Sequence, residues 1–115
     1  MSAARYALDN LVLIVDRNRI QQGDFTEKTI PMDPLPEKWE AFGWAVVEVN
    51  GHDYDALRAA LSGSPREAGK PTCVIANTVK GCGVSFMQNR PEWHHGVPND
   101  AQLAAAREGL LGPGA

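Results

Sequence analysis

Apolar residues recur along this chain in short blocks separated by polar stretches, and the spacing within each block predicts its secondary structure. Five consecutive apolar residues, Leu11 to Val15, lie within NLVLIVD (10–16) and predict a strand buried on both faces of a sheet. WAVVEV (44–49) and PTCVIANTV (71–79) predict two further strands. The segment from Ala3 to Leu8 is typical of the end of a helix whose start lies upstream of this chain.

Helical periodicity predicts three more helices between and after these strands. The first begins near Leu35, has a proline in its first turn and ends at Gly43. The second follows Asp53, which is its expected N-cap. The third is capped by Asn99 or Asp100. Its expected apolar side consists of Leu103, Leu110 and Leu111.

The order of these elements indicates an α/β fold. Strands that alternate with helices form βαβ units, so we expect a mostly parallel sheet with flanking helices over residues 1–111, followed by a tail at 112–115. Residues 17–34 and 80–99 are rich in polar residues and turn formers and are predicted to be loops. Because ligands of parallel sheets bind beyond the carboxyl ends of the strands, the segments that follow the three strands are the candidate sites.

Composition and charge exclude several classes of protein. The 115 residues include 11 Lys and Arg against 14 Asp and Glu, for a net charge of -3. The basic residues are scattered, which argues against nucleic-acid binding, and the longest apolar run is far too short to span a membrane. Cys73 and Cys82 do not make a disulfide framework, and no secretory leader pattern is present. We therefore expect a cytoplasmic protein.

The first candidate site is Asp16-Arg17-Asn18-Arg19-Ile20, directly after the first strand. Asp and Asn side chains offer short oxygen ligands, and a loop exposes carbonyl groups such as that of Ile20. Hard divalent cations prefer this set of ligands, and Mg²⁺ is commonly held by few protein oxygens together with phosphates. From the pattern alone, the ordinary interpretation is a turn in which Asp and Asn satisfy the backbone.

The second candidate is Lys80-Gly81-Cys82-Gly83-Val84-Ser85, after the third strand. Gly81 and Gly83 permit close approach of the backbone to a ligand, and their amides suit an anion, although most such glycine pairs are plain turns. The third candidate is Trp93-His94-His95-Gly96-Val97-Pro98, in which a histidine beside a glycine suits a hydrogen bond to a diphosphate. A solvated or capping histidine is the ordinary alternative. No cysteine or histidine spacing indicates zinc.

Four segments, in this order, resemble the amino-terminal half of transketolase, which binds the diphosphate of its cofactor. They cover nearly the whole chain. The segments are AARYALDNLVLIVDRNRIQ (3–21), DPLPEKWEAFGWAVVEVNGHD (33–53), KPTCVIANTVKGCGVSFMQN (70–89) and EWHHGVPND (92–100). The resemblance implies a partial thiamine-diphosphate-binding domain.

The resemblance also implies roles for individual residues. Asn18 matches a magnesium ligand of the family, and Ile20 matches the residue that offers its carbonyl group to the metal and lies near the cofactor. His95 matches the histidine that contacts the diphosphate, with His94 as the alternative. Gly81 through Ser85 matches the loop that lies close to the cofactor. The implied ligands are thiamine diphosphate and Mg²⁺, or Ca²⁺ in its place. No residue of this chain is assigned a catalytic role.

The family's Gly-Asp-Gly segment and its pyrimidine-binding domain have no counterpart in this chain. We therefore expect one subunit of a split transketolase-like enzyme, completed by companion subunits that supply both parts. Such an enzyme transfers a two-carbon ketol unit, or a related acyl unit, from a ketone donor to an aldehyde acceptor, and its substrates are sugar-like or phosphate-bearing small molecules. Two alternatives stay open: a non-catalytic assembly subunit with a degenerate transketolase fold, and a gene remnant or fragment.

Overall fold

The computed structural model describes residues 1–112 and divides them between two compact units. The first unit comprises Met1–Arg17 and Met32–Thr78. The second comprises Asn18–Pro31 and the chain from Val79 onward. Of the predicted tail at 112–115, only Gly112 is described; the remainder lies outside the described residues.

The secondary structure agrees with most of the elements that the sequence predicts. The elements in chain order are α1 (Ser2–Arg5), β1 (Val12–Arg17), β2 (Ile20–Gln21), β3 (Asp24–Phe25), α2 (Thr26–Thr29), α3 (Leu35–Ala41), β4 (Ala45–Asn50), α4 (Tyr54–Ser62), β5 (Thr72–Asn77), a 3₁₀ turn (Pro91–His94) and α5 (Asp100–Leu111). No helix among the described residues is long and apolar enough to cross a membrane.

A parallel three-stranded sheet in the order β1-β5-β4 forms the centre of the first unit. The predicted α/β fold with a parallel sheet and flanking helices is therefore confirmed. The register aligns the carboxyl ends of the strands, because Arg17 of β1 and Asn50 of β4 both pair with Asn77 of β5. The segments that continue from β1 and β5, beginning at Asn18 and Val79, contain the candidate site residues.

An apolar cluster of the first unit lies on the face of the sheet that Cys73 and Ile75 share. Cys73 and Ile75 of β5 are fully buried and cluster with Leu35 of α3 and Trp44. Trp39 of α3 meets Trp44 edge to face, with ring centroids 5.2 Å apart. Burial of these side chains removes apolar surface from water and is the main stabilising contribution to this unit.

The prediction that the first strand is buried on both faces is wrong. Leu13 and Val15 pack against the core, whereas Ile14 on the opposite face is 52% exposed. On that opposite face α4 packs against β4 and β5, and β1 lies at the edge of the sheet. Within the described residues, β1 is therefore covered on one face only, although the sequence from Leu11 to Val15 is continuously apolar.

The prediction that residues 17–34 form a loop is also wrong in part. Ile20 pairs with Phe25, and Gln21 with Asp24, in an antiparallel hairpin that leads directly into α2. Gln22 makes the turn with a positive φ of 56°. Strands of two residues are too short to produce a periodic pattern, which explains why the sequence did not reveal the hairpin.

Hydrogen bonds rather than apolar burial organise α5 in the second unit. Asn99 is the N-cap, and its side chain accepts a hydrogen bond from the Gln102 amide while the Gln102 side chain accepts one from the Asn99 amide. The leucines of its expected apolar side, Leu103, Leu110 and Leu111, are 43%, 59% and 69% exposed. The sequence thus predicts the helix and its cap, but its apolar side chains remain exposed in this chain.

Candidate functional site

Asn18 begins a tight turn that is closed by a hydrogen bond to its own side chain. Its Oδ1 atom accepts a hydrogen bond from the Ile20 amide at 2.9 Å. Arg19, between them, has a φ of 63°, in the left-handed region that ordinary residues adopt at a cost of about 1–2 kcal/mol. The hydrogen bond fixes the Asn18 side chain in one orientation, as Asn side chains commonly do in turns.

The same turn is anchored through its backbone to the start of α2. The Arg19 carbonyl accepts a hydrogen bond from the Thr26 amide at 2.9 Å and a longer one, 3.3 Å, from the Thr26 hydroxyl. Thr26 is buried, at 7% exposure. These hydrogen bonds connect the turn to a buried residue of α2.

The hairpin ladder determines where the Ile20 carbonyl points. In an antiparallel pair, hydrogen-bonded residue pairs alternate with pairs whose amide and carbonyl groups point away from the partner strand. Arg19 and Thr26 form a hydrogen-bonded pair, so the adjacent pair, Ile20 and Phe25, is of the outward kind. The backbone amide of Ile20 points away from β3 and donates to Asn18 Oδ1. The Ile20 carbonyl also points away from β3, so it is directed to the same side of β2 as the side-chain carboxamide of Asn18.

This arrangement fits part of a magnesium site. Both groups are neutral oxygen donors, which suit a hard cation, and Mg²⁺ takes about six oxygens in octahedral geometry. Among the described residues, no group of three or more His, Cys, Asp or Glu is placed to hold an ion. The Asn18 and Ile20 oxygens therefore account for only part of a coordination sphere.

The two glycines of the second candidate site both have a left-handed backbone and a close neighbour in the structure. Gly81 has a φ of 70°, and a Cβ atom there would lie 2.8 Å from the Met87 carbonyl oxygen. Gly83 has a φ of 91°, and a Cβ atom would lie 2.8 Å from Leu110 Cδ2 of α5. The left-handed backbone favours glycine at both positions, and at Gly81 the close approach to the Met87 backbone also requires it. Contact with a cofactor stays a prediction for both.

The loop from Lys80 to Asn89 is closed by a backbone hydrogen bond of 2.8 Å between the Asn89 amide and the Lys80 carbonyl. Cys82 lies exposed within it and Cys73 is buried in the sheet. Burial raises the pKa of Cys73 to about 11, so its thiol stays protonated at neutral pH. Neither cysteine is assigned a chemical role.

His94 and His95 lie in and just after the 3₁₀ turn at Pro91–His94, and both are exposed. Their rings meet edge to face with centroids 4.5 Å apart. A Cβ atom at Gly96 would lie 2.7 Å from Cε3 of Trp93, so a glycine is needed where the chain passes the indole ring. This turn packs against β3, which places it beside the hairpin that follows the Asn18 turn. Contact of His95, or of His94 in its place, with a diphosphate stays a prediction.

An open groove of about 500 Å³ lies beside the histidine turn. Phe86 and Trp93, whose ring centroids are 5.2 Å apart, line it together with Gln102 of α5. The Glu92 carboxylate at its rim accepts a hydrogen bond from its own backbone amide and faces Arg90, and both contacts lower its pKa.

All of the residues that the sequence proposes for cofactor or metal binding lie in the second unit. They are Asn18, Ile20, Gly81, Gly83, His94 and His95. Asn18 is hydrogen-bonded to Ile20, and the rings of the two histidines are in contact.

The sequence did not reveal the role of Thr26 in the turn, because a threonine after a phenylalanine gives no signal of a contact seven residues away. The sequence likewise did not reveal that Arg17, within the first candidate segment, is buried at the end of β1 and pairs with Asp33 at 2.5 Å.

Comparison with known proteins decides the family. A family profile described as transketolase, thiamine diphosphate binding domain, matches residues 1–112. The chain belongs to this family. The resemblance inferred from four sequence segments is therefore confirmed.

Individual relatives agree with the family assignment. The chain is 47% identical over 110 residues to an apulose-4-phosphate transketolase subunit of Actinobacillus succinogenes, covering 96% of this chain and 40% of that protein. It is 37% identical over 95 residues to the 6-deoxy-6-sulfo-D-fructose transketolase subunit SqwG of Clostridium sp. (strain MSTE9), covering 83% of this chain and 34% of that protein.

The solved structure of transketolase from Campylobacter jejuni matches with a TM-score of 0.82 and 28% identity, over 95% of this chain and 17% of that one. The chain thus spans well under half the length of these transketolase relatives.

Proposed function

We propose that this chain is part of a transketolase-like assembly and contributes Asn18 and Ile20 to a Mg²⁺ ion that holds thiamine diphosphate. The observation that supports this most is the hydrogen bond from the Ile20 amide to Asn18 Oδ1, because the hairpin register then directs the Ile20 carbonyl to the same side of β2. Companion polypeptides supply the remaining metal ligands, including those of the Gly-Asp-Gly segment, and the pyrimidine-binding domain.

The proposed reaction is the transfer of a two-carbon ketol unit from a ketone donor to an aldehyde acceptor. Bound thiamine diphosphate supplies the carbanion stabilisation that makes the carbon–carbon bond exchange feasible. The relatives' names describe a transketolase of a sugar phosphate and one of a sulfonated sugar. We accordingly propose a ketose with an anionic end group as the donor.

The chain's own residues bind and orient rather than react. The Asn18 turn supplies neutral oxygens for the metal, so that two phosphate groups bring the negative charge to the ion. His95, or His94 beside it, donates a hydrogen bond to a diphosphate oxygen, which is strengthened by the charge of the acceptor. The loop at Gly81 and Gly83 brings backbone close to the cofactor.

Substitution of Asn18 by Ala in the assembled protein tests the proposal. Loss of one metal ligand should raise the Kd for Mg²⁺ at least about tenfold and weaken thiamine diphosphate binding at low Mg²⁺, as measured by calorimetric titration. Asn10→Ala is the matched control, because Asn10 is exposed and lies in the first unit.

Equal Mg²⁺ and thiamine diphosphate affinities in Asn18→Ala and Asn10→Ala would contradict the proposal. That result would instead favour a non-catalytic assembly protein that keeps the transketolase fold without its metal site.

A further inference from the structure

A single peptide plane links the two oxygens of the proposed metal site to α2. The plane between Arg19 and Ile20 contains the Arg19 carbonyl and the Ile20 amide. The carbonyl accepts from Thr26, and the amide donates to Asn18 Oδ1, so this one plane is held at both ends. Rotation of the plane would break both hydrogen bonds together, because its carbonyl and amide point in opposite directions.

Rotation of the plane would also change the orientation of both proposed metal ligands. Asn18 Oδ1 would lose the amide that fixes its side chain, and the Ile20 carbonyl would lose the ladder position that directs it outward. Arg19 also has a left-handed φ of 63°, and such conformations persist where surrounding contacts enforce them. Thr26 provides those contacts through two donors.

Burial singles out Thr26 within the second unit. It is the one buried residue among those that the structure describes there. Its hydroxyl is not used as a helix cap, because the N-cap of α2 is Phe25 and has no side-chain cap hydrogen bond. The hydroxyl instead faces the Arg19 carbonyl at 3.3 Å and the Glu27 carboxylate at 3.4 Å.

We propose that Thr26 is a positioning residue for the metal: it holds the Arg19–Ile20 peptide plane so that Asn18 Oδ1 and the Ile20 carbonyl face the same ion. This proposal rests on the proposed function. Thr26 itself does not touch the metal or the cofactor. It acts through the backbone of the turn, and its effect is on the affinity for the ion rather than on the reaction.

Three substitutions at Thr26 form a graded test in the assembled protein. Thr26→Ser keeps both donors, Thr26→Val keeps the shape and the amide but removes the hydroxyl, and Thr26→Pro removes both donors. Proline is tolerated at the first position of a helix, and Phe25 before it has the extended backbone that precedes proline. Thr29→Val on the same helix is the control, since the Thr29 hydroxyl donates to the Phe25 carbonyl instead.

Two measurements are made on each variant. Calorimetric titration with Mg²⁺ at fixed thiamine diphosphate should give a Kd raised about threefold in Thr26→Val and about tenfold or more in Thr26→Pro, with Thr26→Ser and Thr29→Val close to the parent. Excess Mg²⁺ should restore cofactor binding in both weakened variants. Amide hydrogen exchange at Ile20, whose amide donates to Asn18 Oδ1, should speed up in the same order.

Unchanged Mg²⁺ affinity in Thr26→Pro, or equal losses in Thr26→Val and Thr29→Val, would overturn the role of Thr26. The test also separates this proposal from the function on which it rests. If Asn18→Ala keeps its Mg²⁺ affinity, the metal site itself is refuted. If Asn18→Ala loses affinity and the Thr26 variants do not, only the positioning role is refuted.

Discussion

The two units of this chain are stabilised by different interactions. In the first, the central strand β5 is buried from Thr72 to Ala76 and packs between two parallel neighbours above an apolar cluster. In the second, among the described residues, Thr26 alone is buried, and the order comes from turns, caps and left-handed residues such as Arg19 and Gly81. The proposed binding residues all lie in the unit that lacks an apolar core of its own among those residues.

Within 115 residues, the side chains that stabilise the fold by apolar burial are therefore different from those proposed to bind a ligand, and they lie in different units. The free energy gained by apolar burial depends on the area buried and little on the exact direction of each side chain. A ligand site, in contrast, requires particular atoms in particular directions. Hydrogen-bonded turns provide those directions but contribute only about 1 kcal/mol each. We therefore expect substitutions in the first unit to change the free energy of unfolding, and substitutions in the second to change binding and local opening.

The largest expected effect is the loss of a core side chain. Ile75→Ala removes a fully buried side chain from β5 and should lower the free energy of unfolding by about 2–5 kcal/mol. Ile30→Ala makes the same chemical change in the second unit, where Ile30 is 62% exposed, and should cost less than about 0.5 kcal/mol. Urea unfolding followed by tryptophan fluorescence measures both. Comparable losses in the two variants would show that the second unit has a core after all.

A smaller, local effect is expected in the glycine loop. Gly81→Ala places a methyl group against the Met87 backbone and forces a left-handed φ on alanine, which should favour opening of the loop by about 1–2 kcal/mol. Gly23→Ala is the control, because a Cβ atom there meets nothing within 4 Å. Limited trypsin digestion should cleave after Lys80 faster in Gly81→Ala only. Equal cleavage rates in the two variants would mean that the close approach to Met87 is easily relieved.

The sequence predicted the first unit better than the second. Long apolar runs predict strands because a strand buried in a sheet must be apolar. Asp53 predicts the start of α4, because its carboxylate accepts hydrogen bonds from the amides of Asp55 and Ala56. The exposure of Ile14 was not predictable, since a run of apolar residues does not say which face a neighbouring helix covers. The order β1-β5-β4 is likewise set by tertiary packing.

In the second unit the sequence identified the candidate site residues but not what arranges them. Resemblance to a family pointed to Asn18 and Ile20, while the hairpin and the contact with Thr26 came only from the structure. Hydrogen bonds between side chains and nearby backbone leave little trace in composition or periodicity. The glycines were expected to make room for a ligand, and the structure shows that they also make room for Met87 and Leu110.

The most direct test of the metal site is a crystal structure of the assembly with thiamine diphosphate and Mn²⁺ in place of Mg²⁺, with the ion located by anomalous scattering. We expect an anomalous peak about 2.1–2.3 Å from both Asn18 Oδ1 and the Ile20 carbonyl oxygen, and also in contact with the cofactor diphosphate. An ion bound to the diphosphate with Asn18 Oδ1 directed elsewhere would contradict it.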